Sequence, residues 1–389
     1  MFTYKINNSF FLVLLLIYPL LYIIPGIHNI GYEFAVYYFI FVTISFILIS
    51  YYLVISRNYI LKFYSIDIKL LLILFGVLFV VAFNTIKSIF LNPIIFYLYI
   101  LLIYISFSQL KLTFNYRVIL FFYFAYLIIS VCLLFFQRGY HPLNNRFIGF
   151  ANTSTVYSVY MEVIAIVTLS FAPNRTKKIL IYFSVLMFIL ISETRLNIAF
   201  YLALPILSFL YYKIKKRFFL FLLFIVIINL FYPIYGYLYS ASYITVENRY
   251  EDGRDASFAL RNVLFNKMLS EVGTMELKEI LFGKGAEYTR NLTEQTYGLE
   301  PQPHQDFVRF FIDFGIIAFI MYMLFLYILM FKNITTYLLT SLYLFSFYHN
   351  MLYARELIGL IILFFFARVT MHDLKNRITL TFNLNKYVS

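Results

Sequence analysis

Arginines near the ends of apolar runs are the residues of this chain that are best suited to chemistry. Arg195 lies in a tight connection between two such runs, and Arg261 lies in a long polar segment. A guanidinium presents a planar, permanently charged fork that suits phosphate oxygens, and it cannot accept a proton near neutral pH. We therefore expect Arg195 and Arg261 to bind and stabilise negative charge during a reaction. A substrate-binding role is predicted for five more arginines: Arg138, Arg146, Arg254, Arg290 and Arg355.

His304 is the candidate for proton transfer. It follows Pro301-Gln302-Pro303, and an imidazole titrates near neutrality, so this frame would hold a general base at the start of an apolar run. The alternative is a histidine that bonds a backbone carbonyl at a helix start. The other outward histidines, His28, His141 and His349, lack metal-ligand spacing, and no nucleotide-binding glycine loop, nucleophile elbow or HExxH motif occurs. We therefore expect no metal site and no cofactor.

The composition is that of an integral membrane protein. Of the 389 residues, 63% are hydrophobic and 13% are charged, and the mean hydropathy is +0.83. A soluble globular domain carries about 25% charged residues. The net charge of +13 would suggest a nucleic-acid partner in a soluble chain, but here the charges follow the loops, so we expect no nucleic acid. The single cysteine, Cys132, excludes an intrachain disulfide.

Twelve apolar runs approach the length of about 20 residues that a membrane-spanning helix needs. The first run lacks a small-residue cleavage site, so we expect it to be retained as a span. The sequence therefore predicts an all-α polytopic integral membrane protein with about 12 transmembrane helices. The predicted runs are 9–25, 34–55, 70–88, 92–109, 118–136, 155–171, 179–194, 196–212, 218–236, 307–331, 335–350 and 356–371.

The distribution of lysine and arginine predicts the orientation of these spans. With the N-terminus inside, the inner segments hold 18 of the 31 basic residues, and the short inner loop 213–217 is densely basic. Both termini are then cytoplasmic, and one large polar loop lies outside. This divides the chain into nine spans in residues 1–239, the large loop in 240–306, and three spans with a cytoplasmic tail in 307–389.

Within the large loop, apolar residues recur at loosely helical spacing between Asp255 and Leu269. This spacing predicts a helix. The tripeptide Gly283-Lys284-Gly285 follows an apolar stretch, and paired glycines predict a turn there.

A purely structural role is the alternative for several charged residues, because side chains at span ends extend to the interface or pair with carboxylates. Taken singly, four arginines are better explained in this way: Arg249, Arg254, Arg290 and Arg309. The carboxylates available to them are Glu193, Asp255, Glu271 and Asp313. Arg195 differs, since a charge in a nearly buried hairpin needs a partner or a function. Glu162, inside the sixth run, is explained equally by proton or ion coupling and by a hydrogen bond to a neighbouring Tyr or Asn.

Five motifs occur in order along the chain. They are RFIGFAN at 146–152, SETR at 192–195, Arg261 in the loop helix, ILFGKG at 280–285, and His304 followed by DFGII at 313–317. This series resembles the O-antigen polymerase and O-antigen ligase superfamily of bacterial envelope biogenesis. The histidine is followed by asparagine in that family, whereas His304 is followed by Gln305.

The resemblance implies a GT-C-like, metal-independent glycosyltransferase of the bacterial inner membrane, with its large loop in the periplasm. We expect an O-antigen or related surface-polysaccharide polymerase, which transfers a growing glycan from undecaprenyl pyrophosphate onto an undecaprenyl-pyrophosphate-linked repeat unit. His304 would activate the attacking hydroxyl, and Arg195 and Arg261 would stabilise the departing pyrophosphate. The expected partners are these lipid-linked oligosaccharides, membrane lipid, a chain-length regulator and a flippase.

Three other functions stay open at this point. An O-antigen ligase shares the motifs and transfers the glycan to lipid A-core. A lipid-linked oligosaccharide flippase would use Glu162 as a coupling residue, although a single large outer loop without repeated halves argues against a transporter. A structural partner of an envelope complex would tolerate alanine at the arginine and histidine positions.

Overall fold

A computed structural model describes residues 9–17, 68–85, 92–108, 113–136, 140, 146–151, 153–214, 216–238, 256–297, 305–349, 352 and 354–370. Most of these residues are helical. The helices are α1 (Ser9–Ile17), α2 (Ile68–Thr85), α3 (Asn92–Ser108), α4 (Tyr116–Phe135), α5 (Ser154–Phe171), α6 (Arg175–Ile191), α7 (Arg195–Lys213), α8 (Arg217–Leu238), α9 (Ala256–Gly273), α10 (Leu277–Phe282), α11 (Tyr288–Tyr297), α12 (Asp306–Met330), α13 (Ile334–Phe345) and α14 (Arg355–Phe366). A 3₁₀ turn at Ser346–His349 follows α13.

The all-α polytopic architecture is confirmed. Five of the described helices, α2, α4, α5, α7 and α12, are long and apolar enough to cross a membrane, and shorter apolar helices lie at Pro93–Ile105 and Arg217–Asn229. A described helix coincides with all or part of each predicted run except 34–55, and that run lies outside the described residues. The number of about 12 spans stays a prediction.

Two short strands occur where the sequence predicts only helices and loops. The strands β1 (Thr113–Asn115) and β2 (Arg368–Thr370) pair in parallel, with Thr113 opposite Arg368. Helix α14 ends at Phe366, before the approximate end of the last predicted run, and the chain continues into β2. Both strands belong to segments that the basic residues assign to the cytoplasmic side.

The chain divides into two compact units. Of the described elements, the first unit contains α1, β1, α4, α5, α6 and β2. The second contains α2, α3 and all helices from α7 to α14. The helices of the large loop therefore pack within the second unit.

In the first unit, α5 is the central helix, and both α4 and α6 pack against it. Its side chains are buried from Tyr157 to Thr168, including the carboxylate-bearing Glu162 at 0% exposure. Helix α5 begins at a side-chain cap, because Thr153 accepts a hydrogen bond from the backbone N–H of Val156 at 3.2 Å. Every face of this part of α5 is therefore packed against protein.

In the second unit, α12 is the central helix. It packs against α2, α9, α10, α11 and α13, and its apolar side chains from Phe307 to Met330 contribute much of the core. Aromatic rings fill the contact with α3, where Tyr97 meets Tyr322 edge-on with centroids 5.3 Å apart. The loop helices α10 and α11 are thus anchored on the same helix that follows the large loop in the sequence.

Candidate active site

Helix α12 is not the straight span that the sequence predicts for 307–331. At Gly315 the backbone leaves the helical region, with φ 78° and ψ 175°. A residue with a Cβ would be strained at that φ, and a Cβ on Gly315 would also overlap the backbone of Leu281 and Gly283. The glycine of the predicted DFGII motif is therefore required for a break in the helix. The break divides α12 into a short first part, which carries Asp306, Arg309 and Asp313, and a long apolar second part.

The tripeptide Gly283-Lys284-Gly285 fills this break. The backbone N–H of Lys284 donates to the carbonyl of Ile312 at 2.8 Å, and the N–H of Gly285 donates to the carbonyl of Asp313 at 3.1 Å. In an unbroken helix these carbonyls would accept hydrogen bonds from N–H groups four residues later in the chain. The break removes those donors, and the tripeptide supplies others in their place. Gly283 has φ 84°, and a Cβ there would overlap the backbone of Asp313. The predicted turn is confirmed, and it is also a docking segment.

Asn84 of α2 secures the same segment from another side. Its side-chain amide donates to the carbonyl of Phe282 and, at 3.1 Å, to the carbonyl of Val80 in its own helix. Asn84 is 1% exposed. A buried amide costs free energy unless it is hydrogen-bonded, so these bonds explain a polar residue near the end of an apolar helix.

A buried ion cluster lies in the first part of α12. The Nη2 atom of Arg309 is 3.1 Å from both carboxylate oxygens of Glu287, and the guanidinium also lies 3.9 Å from Asp306 and 3.7 Å from Asp313. Thr289 donates its backbone N–H to Asp313 at 3.0 Å. Because these four charged side chains are all buried, each depends on the others to offset its lost hydration.

Glu271 of α9 forms a second charged cluster outside the apolar spans. It accepts hydrogen bonds from Lys284 Nζ and from the Tyr288 hydroxyl, both at 3.0 Å, and Lys267 lies 3.6 Å away. Burial acts to raise the pKa of Glu271, but the hydrogen bonds from Lys284 and Tyr288 outweigh it and hold the pKa below its usual value. Glu271 is therefore a charged acceptor that ties α9 to the docking segment.

The start of α12 is fixed by two buried polar side chains. Gln305 caps the helix by accepting from the backbone N–H of Phe307 at 3.2 Å, and the Asp306 carboxylate accepts from the backbone N–H of Leu352 at 2.7 Å. Gln305 follows His304 in the sequence. His304 itself lies outside the described residues, as do Arg138 and Arg254.

In the first unit, Arg146 is positioned by the aromatic residues next to it. Phe147 and Phe150 pack edge-on against Tyr157, with ring centroids 5.2 and 5.1 Å apart, and Gly149 at φ 53° leaves no room for a Cβ beside the Tyr157 ring. Arg146 Nε then lies 3.8 Å from the Glu193 carboxylate. Both side chains are substantially exposed, at 40% and 70%, so the pair is weak.

The hairpin between α6 and α7 is only partly as predicted. Ser192 and Thr194 are buried and hydrogen-bond to Ser158 of α5, each at 2.6 Å. Arg195 itself is exposed, so the expectation of a nearly buried charge is wrong. Arg195 is the first residue of α7, where backbone N–H groups lack helical partners and attract anions. An exposed guanidinium at a helix N-terminus is chemically suited to an anionic ligand.

The structure describes three other predicted site residues. Arg261 lies in α9, which confirms the predicted loop helix and extends it to Gly273, while its side chain lies outside the described part. Arg290 in α11 and Arg355 at the first position of α14 are half-buried, and the Arg355 carbonyl accepts from the Tyr99 hydroxyl at 3.2 Å. Within the described residues, no group of three His, Cys, Asp or Glu side chains is arranged to hold a metal ion.

Sequence reasoning missed the partners that hold the site together. Asp313 is among the carboxylates that the sequence offers to Arg309, but Glu287 and Asp306 are not, because no local pattern joins Glu287 to a residue 22 positions away. Asn84 carried a usable signal, since an amide within an apolar run must find a hydrogen-bonding partner.

These features define an all-α polytopic membrane protein with a polar loop docked on a broken helix. Residues 179–323 match the family model described as O-antigen ligase, and this match supports the resemblance to the O-antigen polymerase and ligase superfamily. The match contains Arg195, Arg261, His304 and the break at Gly315, and it indicates a membrane glycosyltransferase-like enzyme. No curated protein matches the chain significantly.

Proposed function

We propose that this protein is an O-antigen or related surface-polysaccharide polymerase. It transfers a growing glycan from undecaprenyl pyrophosphate onto a repeat unit that is linked to a second undecaprenyl pyrophosphate. The observation that carries the proposal is the family match over residues 179–323. Within this region lie exposed Arg195 at a helix N-terminus, Arg261 on the docked helix α9, and His304 directly before the anchored start of α12.

The substrate suits a GT-C-like arrangement of membrane helices and an outer loop. Two lipid carriers enter from the bilayer, their pyrophosphates meet cationic groups at the membrane surface, and the sugars extend into water. In this proposal the protein lies in the bacterial inner membrane with both termini in the cytoplasm, and residues 240–306 form the periplasmic loop between spans 1–9 and spans 10–12. A flippase supplies the substrate, and a chain-length regulator limits the product.

The reaction is a direct displacement at the anomeric carbon. The acceptor hydroxyl oxygen attacks this carbon while the bond to the pyrophosphate oxygen breaks, which inverts the configuration. His304 takes the hydroxyl proton, and Arg195 and Arg261 stabilise the negative charge that develops on the leaving undecaprenyl pyrophosphate. Arg138, Arg146, Arg254, Arg290 and Arg355 contribute to substrate binding. The donor is already activated by its pyrophosphate, so the reaction requires neither a metal ion nor a nucleotide.

An O-antigen ligase is the second candidate, because the matching family model carries that description and does not distinguish a ligase from a polymerase. The two reactions share the donor and the leaving group. They differ in the acceptor, which is lipid A-core for a ligase and a lipid-linked repeat unit for a polymerase.

The profile of lipopolysaccharide from a deletion strain distinguishes the two functions. We expect core plus one repeat unit in the deletion strain, and a ladder of longer chains after complementation with the wild-type gene. Bare core with polymer accumulating on the lipid carrier would instead establish a ligase. An unchanged profile would exclude both roles in lipopolysaccharide assembly.

A further inference from the structure

Residues 282–289, here named the brace, contact three helices of the second unit. The carbonyl of Phe282 accepts from Asn84 of α2. The backbone N–H groups of Lys284 and Gly285 bond the opened carbonyls of α12. The side chain of Lys284 reaches Glu271 of α9 at 3.0 Å. One short segment therefore joins α2, α9 and α12.

The contacts of the brace with α12 are numerous and buried. Glu287 bonds Arg309 at 3.1 Å, and Thr289 bonds Asp313 through its backbone N–H at 3.0 Å and its hydroxyl at 3.3 Å. Glu287 adopts φ 62°, which is unusual for a residue with a side chain. These buried contacts hold the C-terminal part of the brace against α12.

The polar link from the brace to α9 depends on one acceptor. Glu271 accepts from Lys284 and from Tyr288, and the side chains of Lys284 and Glu271 are only 11% and 16% exposed. Lys284 also lies over the Tyr288 ring, with its Nζ 5.0 Å from the centroid. These contacts set where the C-terminal half of α9 lies against the brace.

Arg261 lies ten residues before Glu271 on the same helix. At 1.5 Å per residue this separation is about 15 Å, so a tilt of α9 by roughly 10° about the Glu271 end would displace the backbone at Arg261 by about 3 Å. A misplacement of about 1 Å can reduce the rate of an enzyme reaction about 100-fold. A small change in the direction of α9 near Glu271 would therefore be a large displacement at Arg261.

We propose that the brace is a positioning element that fixes α9, and with it Arg261, at a set distance from the start of α12. The inference rests on the proposed function, because it assigns Lys284, Tyr288 and Glu271 a role through Arg261. None of the three contacts substrate in this proposal. They affect the distance between Arg261, which stabilises the leaving pyrophosphate in this proposal, and the start of α12, which follows His304.

Two substitutions, each of which removes one of the two lysines near Glu271, form a matched test. Lys284→Met removes the link to the brace, whereas Lys267→Met removes the other lysine near Glu271, which lies in α9 itself and makes no contact with the brace in the described structure. Lys284→Arg keeps the ion pair and serves as the conservative rescue. Tyr288→Phe removes one hydrogen bond without removing the ring, so it provides a second variant if Lys284→Met does not fold.

The first readout is a distance distribution between spin labels on α9 and α12. In a Cys132→Ser background, cysteines at the exposed positions Asn266 and Ile320 carry the labels. We expect Lys284→Met to broaden the distribution and Tyr288→Phe to broaden it less, while Lys267→Met and Lys284→Arg leave it unchanged. An unchanged distribution in Lys284→Met would overturn the inference that the brace fixes the position of α9.

The second readout is the rate of glycan transfer by the purified full-length protein. The probe is the undecaprenyl-pyrophosphate-linked repeat unit extracted from the deletion strain. We expect Lys284→Met to lower kcat by about 10- to 100-fold with little change in KM, because Arg261 acts mainly on charge that develops in the transition state. Lys267→Met should stay within about twofold of the wild type, since it leaves the brace intact.

The two readouts separate failure of this inference from failure of the proposed function. A broadened distribution with an unchanged kcat would overturn the positioning role. A wild type that transfers no glycan would refute the proposed function, and the distance distributions would then still decide whether the brace fixes α9.

Discussion

Arg309 in the second unit and Arg146 in the first are both paired with carboxylates, but their surroundings differ. Arg309 is 3% exposed and lies among Glu287, Asp306 and Asp313. Arg146 faces Glu193 across 3.8 Å, and both side chains are substantially exposed. A buried arginine with three carboxylates cannot be spared for a ligand, because its removal would leave buried charge without compensation. An exposed arginine in a weak pair can exchange its partner for a phosphate at little cost.

The same contrast separates Arg309 from Arg195. Arg195 is exposed at the first position of α7 and follows the buried Ser192 and Thr194 in the chain. Arginine side chains thus serve two purposes in this chain. The buried arginine holds the helix that follows the large loop, and the exposed arginines are the candidates for pyrophosphate.

The largest expected effect is the loss of Arg309. Arg309→Met leaves three carboxylates buried, which should lower the free energy of unfolding by about 3–5 kcal/mol. The measurement is the melting temperature of the detergent-purified protein. Arg146→Met is the control and should change stability by roughly 0–1 kcal/mol. Adding Glu287→Gln to Arg309→Met should recover part of the loss, and a fully stable Arg309→Met would show that the buried cluster does not hold α12.

Loss of Arg195 should reduce activity without unfolding the protein. Removing one group that stabilises transition-state charge costs about 100-fold in rate, so Arg195→Ala should slow glycan transfer by about that factor at an unchanged melting temperature. Arg175→Ala is the matched control, because Arg175 is also an exposed first residue of a helix but is predicted to lie on the cytoplasmic side. Equal activity of the two variants would remove Arg195 from the site.

The break in α12 should depend on its glycines. Gly315→Ala and Gly283→Ala place a Cβ at positive φ and into neighbouring backbone, so each should destabilise the protein by at least about 1–2 kcal/mol. Gly273→Ala is the control, since a Cβ there meets nothing within 4 Å. Melting temperatures of the three variants test this directly, and a Gly315→Ala protein as stable as Gly273→Ala would refute the docking geometry.

The smallest effect concerns pH and the pair of Glu271 with Lys284. The pKa of Glu271 is lowered in the folded protein, so its contribution to stability is present above the pKa of the unfolded chain and is lost as pH falls through the folded pKa. The difference in melting temperature between the wild type and Glu271→Gln should therefore shrink as the pH drops below the ordinary carboxylate range. A difference that is constant down to acidic pH would contradict the pairing.

Composition and hydrophobic runs were sufficient to predict the helical membrane architecture, because lipid requires long apolar helices whatever their packing. The same reasoning predicted the loop helix and the turn at residues 283–285. It could not predict that this turn docks on Gly315, since the contact joins backbone atoms about 30 positions apart in the chain. Motif order drew attention to Asp313 and Gly315 but gave them no structural role.

The burial of individual charges was the least predictable property. Arg195 was expected to be nearly buried because its connection is short, but a tight turn buries Ser192 and Thr194 while directing the next residue outward. The sequence leaves Arg309 either at the interface or beside a carboxylate, and the structure encloses it between Glu287, just before α11, and two carboxylates of its own helix. Such differences depend on tertiary contacts, which leave no periodic signal in the sequence.

The most direct test of the central claim is transfer by the purified protein in lipid nanodiscs. The substrate is the undecaprenyl-pyrophosphate-linked repeat unit from the deletion strain, and the assay measures glycan length and released undecaprenyl pyrophosphate in the presence of a metal chelator. We expect polymer of increasing length, with equivalent release of the carrier, and no polymer from a folded His304→Ala protein. Absence of polymer from the wild type, or full activity of His304→Ala, would contradict it.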